Sequence, residues 1–190
     1  LHNWSIKHKN EFWTNVWDFT NFVGEKKGKI FKSAPEFTNN KFFDECKINY
    51  AENCLTRDDD DDAIIFHSEK KIKRNYSWRE LKSAVLKFAN YLKNNNIEKN
   101  DRIAAILPNI PETVISFLST AQLGAIWSSC SSDFGKKAII DRFKQIEPKV
   151  LLFSDYYFYN NKKVDTTKII KDVVYNLSLI HISEPTRPRL

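Results

Sequence analysis

The 190-residue sequence contains no methionine, and it has only four glycines and three cysteines. No two of its glycines have the spacing of a Walker or dinucleotide-binding loop, so the sequence predicts no glycine-rich phosphate loop. Cys46, Cys54 and Cys130 lack metal-ligand spacing and indicate reduced thiols, as in a cytoplasmic protein. Since no run of about 18 apolar residues occurs, no membrane span is predicted.

The basic residues outnumber the acidic ones but do not cluster. Thirty Lys and Arg residues against 24 Asp and Glu residues give a net charge of +6, which is compatible with nucleic-acid binding. The lysines are dispersed, and an acidic run from Asp58 to Asp62 opposes them. We therefore interpret the lysines as a solvated surface and expect no nucleic-acid partner. A basic, non-catalytic nucleic-acid-binding module is the alternative from another functional class.

Strand and helix patterns alternate over residues 63–154. The runs 63–67 and 71–76 predict a hairpin, and Ser77 with Glu80 forms a capping box that opens a helix. Apolar runs at 102–107, 125–129 and 149–154 predict strands, separated by helices that begin near residues 111 and 136. The first of these two helices carries the apolar residues Val114, Ile115, Phe117, Leu118 and Ala121. The pattern predicts an α/β fold with a parallel βαβαβ sheet covered on both faces.

The N-terminal part of the chain is less regular. The spacing of Phe12, Val16, Phe19 and Val23 predicts an amphipathic helix over 8–23, and residues 48–55 predict a short helix or turn. Mutual repulsion is expected to keep the acidic run 58–62 in an exposed loop. We therefore predict a helical and irregular N-terminal domain over 1–62, followed by the start of the parallel-sheet domain over 63–176.

Both ends of the sequence suggest a piece of a longer protein. The chain begins with Leu1 and has no methionine. Residues 177–190 read LSLIHISEPTRPRL and lack periodicity, and the first eleven of them equal the translation of a string that resembles a transposase-based sequencing adapter. We interpret 177–190 as adapter read-through and not native protein, which re-sequencing the locus would test.

Small polar residues follow one of the predicted parallel strands. Trp127 begins a run that continues through Ser131, Ser132 and Asp133, and Asp133 is expected to cap the following helix. Ligands of open parallel sheets bind outside the carboxyl ends of the strands, so this loop is a candidate site. The alternative is a capped loop without a ligand, with Trp127 packed in the core.

No catalytic or metal-binding group is predicted. Cys130 lies on the candidate loop without a recognisable histidine base and is interpreted as an unreactive, partly buried thiol. The four histidines are far apart, and the acidic run lacks the glycine and distal glutamate of a calcium loop.

Four stretches of the sequence resemble a known family. Residues 107–118 read LPNIPETVISFL and residues 123–135 read LGAIWSSCSSDFG, while 47–55 (KINYAENCL) and 76–81 (YSWREL) agree with them. These stretches are similar to the acetoacetyl-CoA synthetase branch of the AMP-forming acyl-CoA synthetases. The resemblance implies an acetyl-CoA-synthetase-like N-terminal domain over 1–62 and an incomplete adenylate-forming domain over 63–176.

The resemblance also implies a two-step reaction. Acetoacetate would attack the α-phosphate of ATP with the help of Mg²⁺, and the thiol of coenzyme A (CoA) would then displace AMP. The family's phosphate loop and catalytic lysine lie later in the chain, so residues 1–190 alone are expected to be inactive. Another short-chain acyl-CoA synthetase, for acetate or propionate, is the nearest alternative.

The residues that the resemblance assigns to a ligand all lie on the CoA side. Ser131, Ser132 and Asp133 align with a segment that contacts the CoA nucleotide in acetyl-CoA synthetases. Lys162 and Lys163 follow the next strand, where basic residues approach the CoA phosphates. The family usually has proline at the position of Ser132.

Overall fold

The computed structural model describes residues 1–69, 72–177 and 182–183. The chain divides into two compact units, Leu1–Cys54 and Leu55–Leu190. In the part of the chain that the structure describes, no helix has the length and apolar character needed to cross a membrane. The read-through interpretation of 177–190 falls largely outside the described residues and stays a prediction.

The first unit is built on aromatic contacts. Its helices are α1 (His2–Lys7), α2 (Lys9–Phe19) and α3 (Tyr50–Cys54), and its strands β1 (Phe31–Lys32) and β2 (Lys41–Phe42) pair antiparallel. The ring centroids of Trp13 and Phe42 are 4.7 Å apart, and those of Trp17 and Phe43 are 4.6 Å apart. Aromatic side chains of α2 thus pack on the segment around β2.

The predicted helix over 8–23 ends early, and its predicted face is correct only in its first half. The Thr20 hydroxyl donates to the Val16 carbonyl at 2.9 Å, and the next residue, Asn21, has a φ of 49° that ends the helix. Phe12 and Val16 are half-buried as predicted, but Phe19 is 88% exposed. Trp13 and Trp17 are half-buried as well, because their large rings reach the β2 segment.

The second unit begins with the predicted hairpin and capped helix. Strands β3 (Asp62–His67) and β4 (Lys73–Ser77) pair antiparallel and lead into α4 (Trp78–Asn94). The Ser77 hydroxyl accepts from the Glu80 backbone N–H, and the Glu80 carboxylate accepts from the Ser77 N–H. Both halves of the capping box are therefore confirmed, and α4 buries Leu81, Val85, Ala89 and Leu92.

Cations organise the acidic loop that precedes β3. The Arg57 guanidinium donates to Asp59 and Asp61, and Lys82 lies 3.3 Å from Asp58. The acidic run is exposed as predicted except for the half-buried Asp59, and its last residue, Asp62, begins β3. Its conformation rests on attraction to these cations as well as on repulsion within the run.

A parallel sheet forms the centre of the second unit. It contains β5 (Arg102–Ile106), β6 (Ile126–Cys130), β7 (Val150–Phe153) and β10 (Ile182–Ser183) in the order β10-β7-β5-β6. All three strand pairs are parallel, and α5 (Pro111–Gln122) and α6 (Lys136–Lys144) connect β5 to β6 and β6 to β7. The predicted βαβαβ arrangement is confirmed.

Alternate residues of the strands fill two separate cores. Ala104, Ile106 and Leu151 pack on one face of the sheet with residues of α6 and of α7 (Thr167–Leu177). Ile103 and Leu152 pack on the opposite face with Leu92 of α4. The central strands β5 and β7 are covered on both faces, which agrees with their almost entirely apolar sequences.

Helix α5 buries hydroxyl side chains together with the apolar Ile115 and Leu118. Val114 is 37% exposed, whereas Ser116, Ser119 and Thr120 are buried. The Ser119 hydroxyl donates to the Val85 carbonyl of α4 at 2.9 Å and to the Ile115 carbonyl at 2.7 Å. Small hydroxyl side chains that bond to helix backbone allow α5 and α4 to approach closely, which a purely apolar periodicity does not reveal.

Candidate functional site

The serine-bearing loop lies at the carboxyl end of β6, as the sequence predicted. Ser131 and Asp133 are exposed, while Ser132 is only 5% exposed. The Ser132 hydroxyl oxygen is buried and has no hydrogen-bond partner among the described residues. A buried hydroxyl without a partner is destabilising, so this oxygen is a group that a ligand or a small loop movement would satisfy.

Asp133 is not the cap of the following helix, contrary to the sequence prediction. The N-cap of α6 is Gly135, and no side chain bonds to the first turn. Phe134 and Gly135 separate Asp133 from that turn, and the Phe134 ring lies 5.2 Å from the Arg142 guanidinium. Packing of Phe134 on α6 therefore fixes where the helix begins, and it leaves the Asp133 carboxylate exposed.

Cys130, at the end of β6, is an unreactive thiol. It is 6% exposed, and burial raises its pKa to about 11. The nearby Arg142 lowers the pKa and Asp133 raises it, both by less than the effect of burial. A thiol is nucleophilic only as the thiolate, so the interpretation of Cys130 as a quiet side chain is confirmed.

We expect Cys130 to resist alkylation in the folded chain. At pH 8 about one Cys130 thiol in a thousand is ionised, given the pKa of about 11. Iodoacetamide at pH 8 should modify Cys46 and Cys54, which are only half-buried, before Cys130, as measured by peptide mass spectrometry. The control is the chain unfolded in urea, in which the three cysteines should react with iodoacetamide at similar rates. Early modification of Cys130 in the folded chain would contradict the assignment.

Trp127 is a packed residue of β6. Its indole N–H donates to the Ser129 hydroxyl at 3.1 Å, and its ring lies edge-on to Phe117 at 6.1 Å. It packs against the core on the Ile103 face of the sheet, which agrees with the packing interpretation.

Lys162 and Lys163 lie on a hairpin that the sequence analysis did not identify. Strands β8 (Tyr156–Tyr159) and β9 (Lys162–Asp165) pair antiparallel after β7. The two turn residues, Asn160 and Asn161, have φ values of 48° and 60°. Left-handed asparagines in a two-residue loop favour a tight hairpin turn. The Asn-Asn pair between two β-prone runs was therefore the feature of the sequence that could have predicted this hairpin.

The structure places both candidate segments at the same edge of the sheet. The serine loop follows β6 and the hairpin follows β7, and both strands are parallel to β5, which lies between them. Strands on either side of a common neighbour lie about 10 Å apart. Within the described ranges, no hydrogen bond or ion pair joins either lysine to Ser131, Ser132 or Asp133. A ligand touching both segments would therefore have to span the end of β5.

Metal binding by the described residues is a separate question from CoA binding. Over residues 1–69 and 72–177 there is no group of three or more His, Cys, Asp or Glu side chains that could hold a metal ion.

Comparison with known proteins places this architecture in a family. Residues 51–186 match the family described as AMP-binding enzyme. Acetoacetyl-coenzyme A synthetase of Rhizobium meliloti (strain 1021) is 39% identical over 177 residues, and acetoacetyl-CoA synthetase of Xenopus tropicalis is 35% identical over 187 residues. Each alignment covers 93% of this chain and 27% of the relative, so the chain spans about a quarter of the length of these curated relatives.

A solved structure agrees with the sequence comparison. The structure of acetoacetyl-CoA synthetase from Streptomyces lividans superposes with a TM-score of 0.90 at 30% identity. The match covers 97% of this chain and 29% of that chain. The fold, its parallel sheet and the matched residues 51–186 together show that the chain belongs to the AMP-binding enzyme family.

Proposed function

We propose that the chain is part of an acetoacetate–CoA ligase. The enzyme would form acetoacetyl-AMP and pyrophosphate from acetoacetate and ATP, and would then transfer the acetoacetyl group to CoA with release of AMP. The observation that carries the proposal is the similarity to acetoacetyl-CoA synthetases over 93% of the chain. We also propose a cytoplasmic location, which reduced cysteines support.

The residues of this chain would serve the CoA side of the reaction. Ser131, Ser132 and Asp133 would contact the CoA nucleotide, and Lys162 and Lys163 would face its phosphates. The location of both segments at the carboxyl edge of the sheet supports this assignment. The exposed ammonium groups of β9 also suit a ligand that carries several phosphate charges.

The adenylation step would depend on residues outside the described ranges. That step requires Mg²⁺ and cationic groups to stabilise the transferring phosphoryl group, and the described residues contain no metal cluster or glycine-rich loop for it. We propose that residues 1–62 act as an N-terminal domain and 63–176 as the beginning of the adenylate-forming domain. The 190-residue chain alone should then show no ATP–pyrophosphate exchange.

Exchange assays on the full-length protein test the proposed substrate. Acetoacetate should support faster ATP–pyrophosphate exchange than acetate or propionate. If acetoacetate is the poorest of the three, the enzyme is another short-chain acyl-CoA synthetase. A gel-shift titration with duplex DNA addresses the nucleic-acid alternative, which requires tight binding that weakens steeply with salt.

Ser132 provides a test of the CoA side that separates binding from folding. Because its buried hydroxyl lacks a partner among the described residues, Ser132→Ala should leave the free energy of unfolding unchanged or slightly higher. If CoA supplies the missing partner, the same substitution should raise the KM for CoA about fivefold in the full-length enzyme. Urea unfolding and steady-state kinetics measure the two effects, and Ser83→Ala, at an exposed position of α4 outside the proposed site, is the matched control that should change neither. An unchanged KM for CoA would show that Ser132 does not contribute to the CoA site.

A further inference from the structure

Arg142 reaches back from α6 to the serine-bearing loop. The side chains of a helix point toward its N-terminus, and Arg142 lies in the last turn of the helix that follows the loop. Its guanidinium carbon lies 5.2 Å from the centre of the Phe134 ring. The Arg142 charge also lowers the pKa of Cys130, which immediately precedes the loop. Both observations place this cation beside the carboxyl end of β6.

No acid neutralises Arg142 in the part of the chain that the structure describes. Over residues 1–69 and 72–177, no carboxylate oxygen lies within 4 Å of its guanidinium, whereas Arg57, Arg74 and Arg79 all form ion pairs. The Arg142 side chain is exposed, so burial does not impose its position over the ring. A guanidinium is attracted to the face of an aromatic ring, and Phe134 therefore holds Arg142 in place.

Phe134 connects this contact to the core and to the loop. Its ring is half-buried and packs against the core that contains Phe143. The Phe134 N–H donates to the Ser131 carbonyl at 3.2 Å, which closes a turn around Ser132 and Asp133. A contact that fixes the Phe134 ring therefore also fixes the backbone that carries these two residues.

The conformation of this turn is unfavourable for Ser132 when no ligand is bound. Its buried hydroxyl has no partner among the described residues, and a freely moving loop would turn that oxygen toward water or a backbone carbonyl. Gly135, at the end of the loop, does not restrain it, because no described atom lies within 4 Å of the position that a Cβ atom would take there. The restraint on the turn therefore comes from Phe134.

We propose that Arg142 is a positioning residue, which stacks on Phe134 and keeps the turn from relaxing, so that the Ser132 hydroxyl remains free for a ligand. The loop is then organised before binding, which lowers the cost of ordering it in the complex. The identity of that ligand as CoA rests on the proposed function. The restraint of the turn by Arg142 rests on the contacts of the loop alone.

Hydrogen exchange in the full-length enzyme without ligand tests the restraint. Arg142→Ala should raise the exchange rate of the amides of residues 131–135 about fivefold, and Arg142→Lys, which retains the charge, should raise it less. Phe134→Leu keeps an apolar side chain for the core but removes the ring face. It should therefore raise the rate as Arg142→Ala does, and the double variant should not exceed the single ones. Lys144→Ala, at an exposed basic residue in the same turn of α6, is the matched control and should leave the rate unchanged.

Steady-state kinetics test the consequence of the restraint for the reaction. Arg142→Ala should raise the KM for CoA about fivefold, while the KM values for ATP and acetoacetate should change less than twofold. In an enzyme that already carries Ser132→Ala, the same substitution should raise the KM for CoA less than twofold, because the hydroxyl that the turn positions is absent.

The possible outcomes distinguish this inference from the proposed function. Unchanged loop exchange in Arg142→Ala, or an equal increase in Lys144→Ala, would overturn the inference. Faster loop exchange with an unchanged KM for CoA would also overturn it, since the turn would then not position a group for the coenzyme. Absence of acetoacetate-dependent ATP–pyrophosphate exchange in the unmodified enzyme would refute the proposed function, and hydrogen exchange would still decide whether Arg142 restrains the turn.

Discussion

Replacement of Phe143 by alanine is expected to lower the free energy of unfolding of the second unit by about 3–5 kcal/mol. Phe143 lies on α6 with no exposed surface, and it belongs to the core that contains Ile106, Leu151 and Val173. Removal of the ring leaves a cavity between the sheet and two helices, which the surrounding strands cannot fill without breaking their pairing. Domains are stable by only about 5–15 kcal/mol, so the variant should be close to unfolded in water at 37 °C.

Urea unfolding followed by far-ultraviolet circular dichroism measures this effect. Tyr175→Ala is the matched control, because Tyr175 is an aromatic residue of α7 that is 86% exposed, and its removal should cost less than about 0.5 kcal/mol. Phe143→Leu, which retains most of the buried volume, should cost less than Phe143→Ala. A loss below about 1 kcal/mol for Phe143→Ala would show that the core on this face of the sheet is not packed as described.

The second large effect is expected at the ion pair between Arg74 and Glu112. The Arg74 guanidinium donates two hydrogen bonds to the Glu112 carboxylate, one of them from Nη2 to Oε2 at 2.9 Å. The two side chains are 28% and 19% exposed, and Glu112 raises the pKa of Arg74. This pair joins β4 to the first turn of α5, where a carboxylate is also favourable. Glu112→Ala should therefore lower the free energy of unfolding by about 2–3 kcal/mol.

A double-mutant cycle distinguishes the ion pair from general effects of truncation. Arg74→Ala should also be destabilising, and the double variant should lose less than the sum of the two single losses, with a coupling energy of about 1–2 kcal/mol. The pair between Lys136 and Asp172 is the matched control, since both side chains are about half exposed and the N–O distance is 3.0 Å. Its coupling should be below about 1 kcal/mol. Additive losses at Arg74 and Glu112 would contradict the prediction.

Local signals in the sequence predicted the elements of the second unit well. The capping box at Ser77 and Glu80, the proline that opens α5 and the apolar runs of β5 and β7 act over a few residues, and each produced the expected element. These features depend on hydrogen bonds or burial that the nearest residues determine. These elements could therefore be predicted without knowledge of the tertiary contacts that surround them.

Predictions that depended on tertiary contacts were less successful. The helix cap at Asp133 was wrong: α6 begins where the sequence predicted, but its N-cap is Gly135, and the Phe134 ring between them lies over Arg142. The apolar residues of α5 did not reveal that Ser119 is also buried and bonds to Val85 across the interface with α4. Both features depend on packing that local periodicity does not encode.

The candidate site shows the same division. Its residues came from a family resemblance, and the parallel topology then placed the serine loop and the hairpin at one edge of the sheet. The sequence did not show that Ser132 is buried, or that Lys162 and Lys163 point to opposite faces. The burial of Ser132 depends on the packing of the loop after β6, whereas the orientation of the two lysines depends on the pairing of β8 and β9 around the Asn160–Asn161 turn.

The distribution of thiols has a practical consequence for spectroscopy. Cys46 and Cys54 belong to the first unit, and the protonated Cys130 is enclosed in the second. Maleimide dyes applied briefly at neutral pH should therefore label the aromatic-rich first unit alone, without any engineered cysteine. Fluorescence anisotropy of such a dye would report the tumbling and local unfolding of that unit while the parallel sheet remains unlabelled.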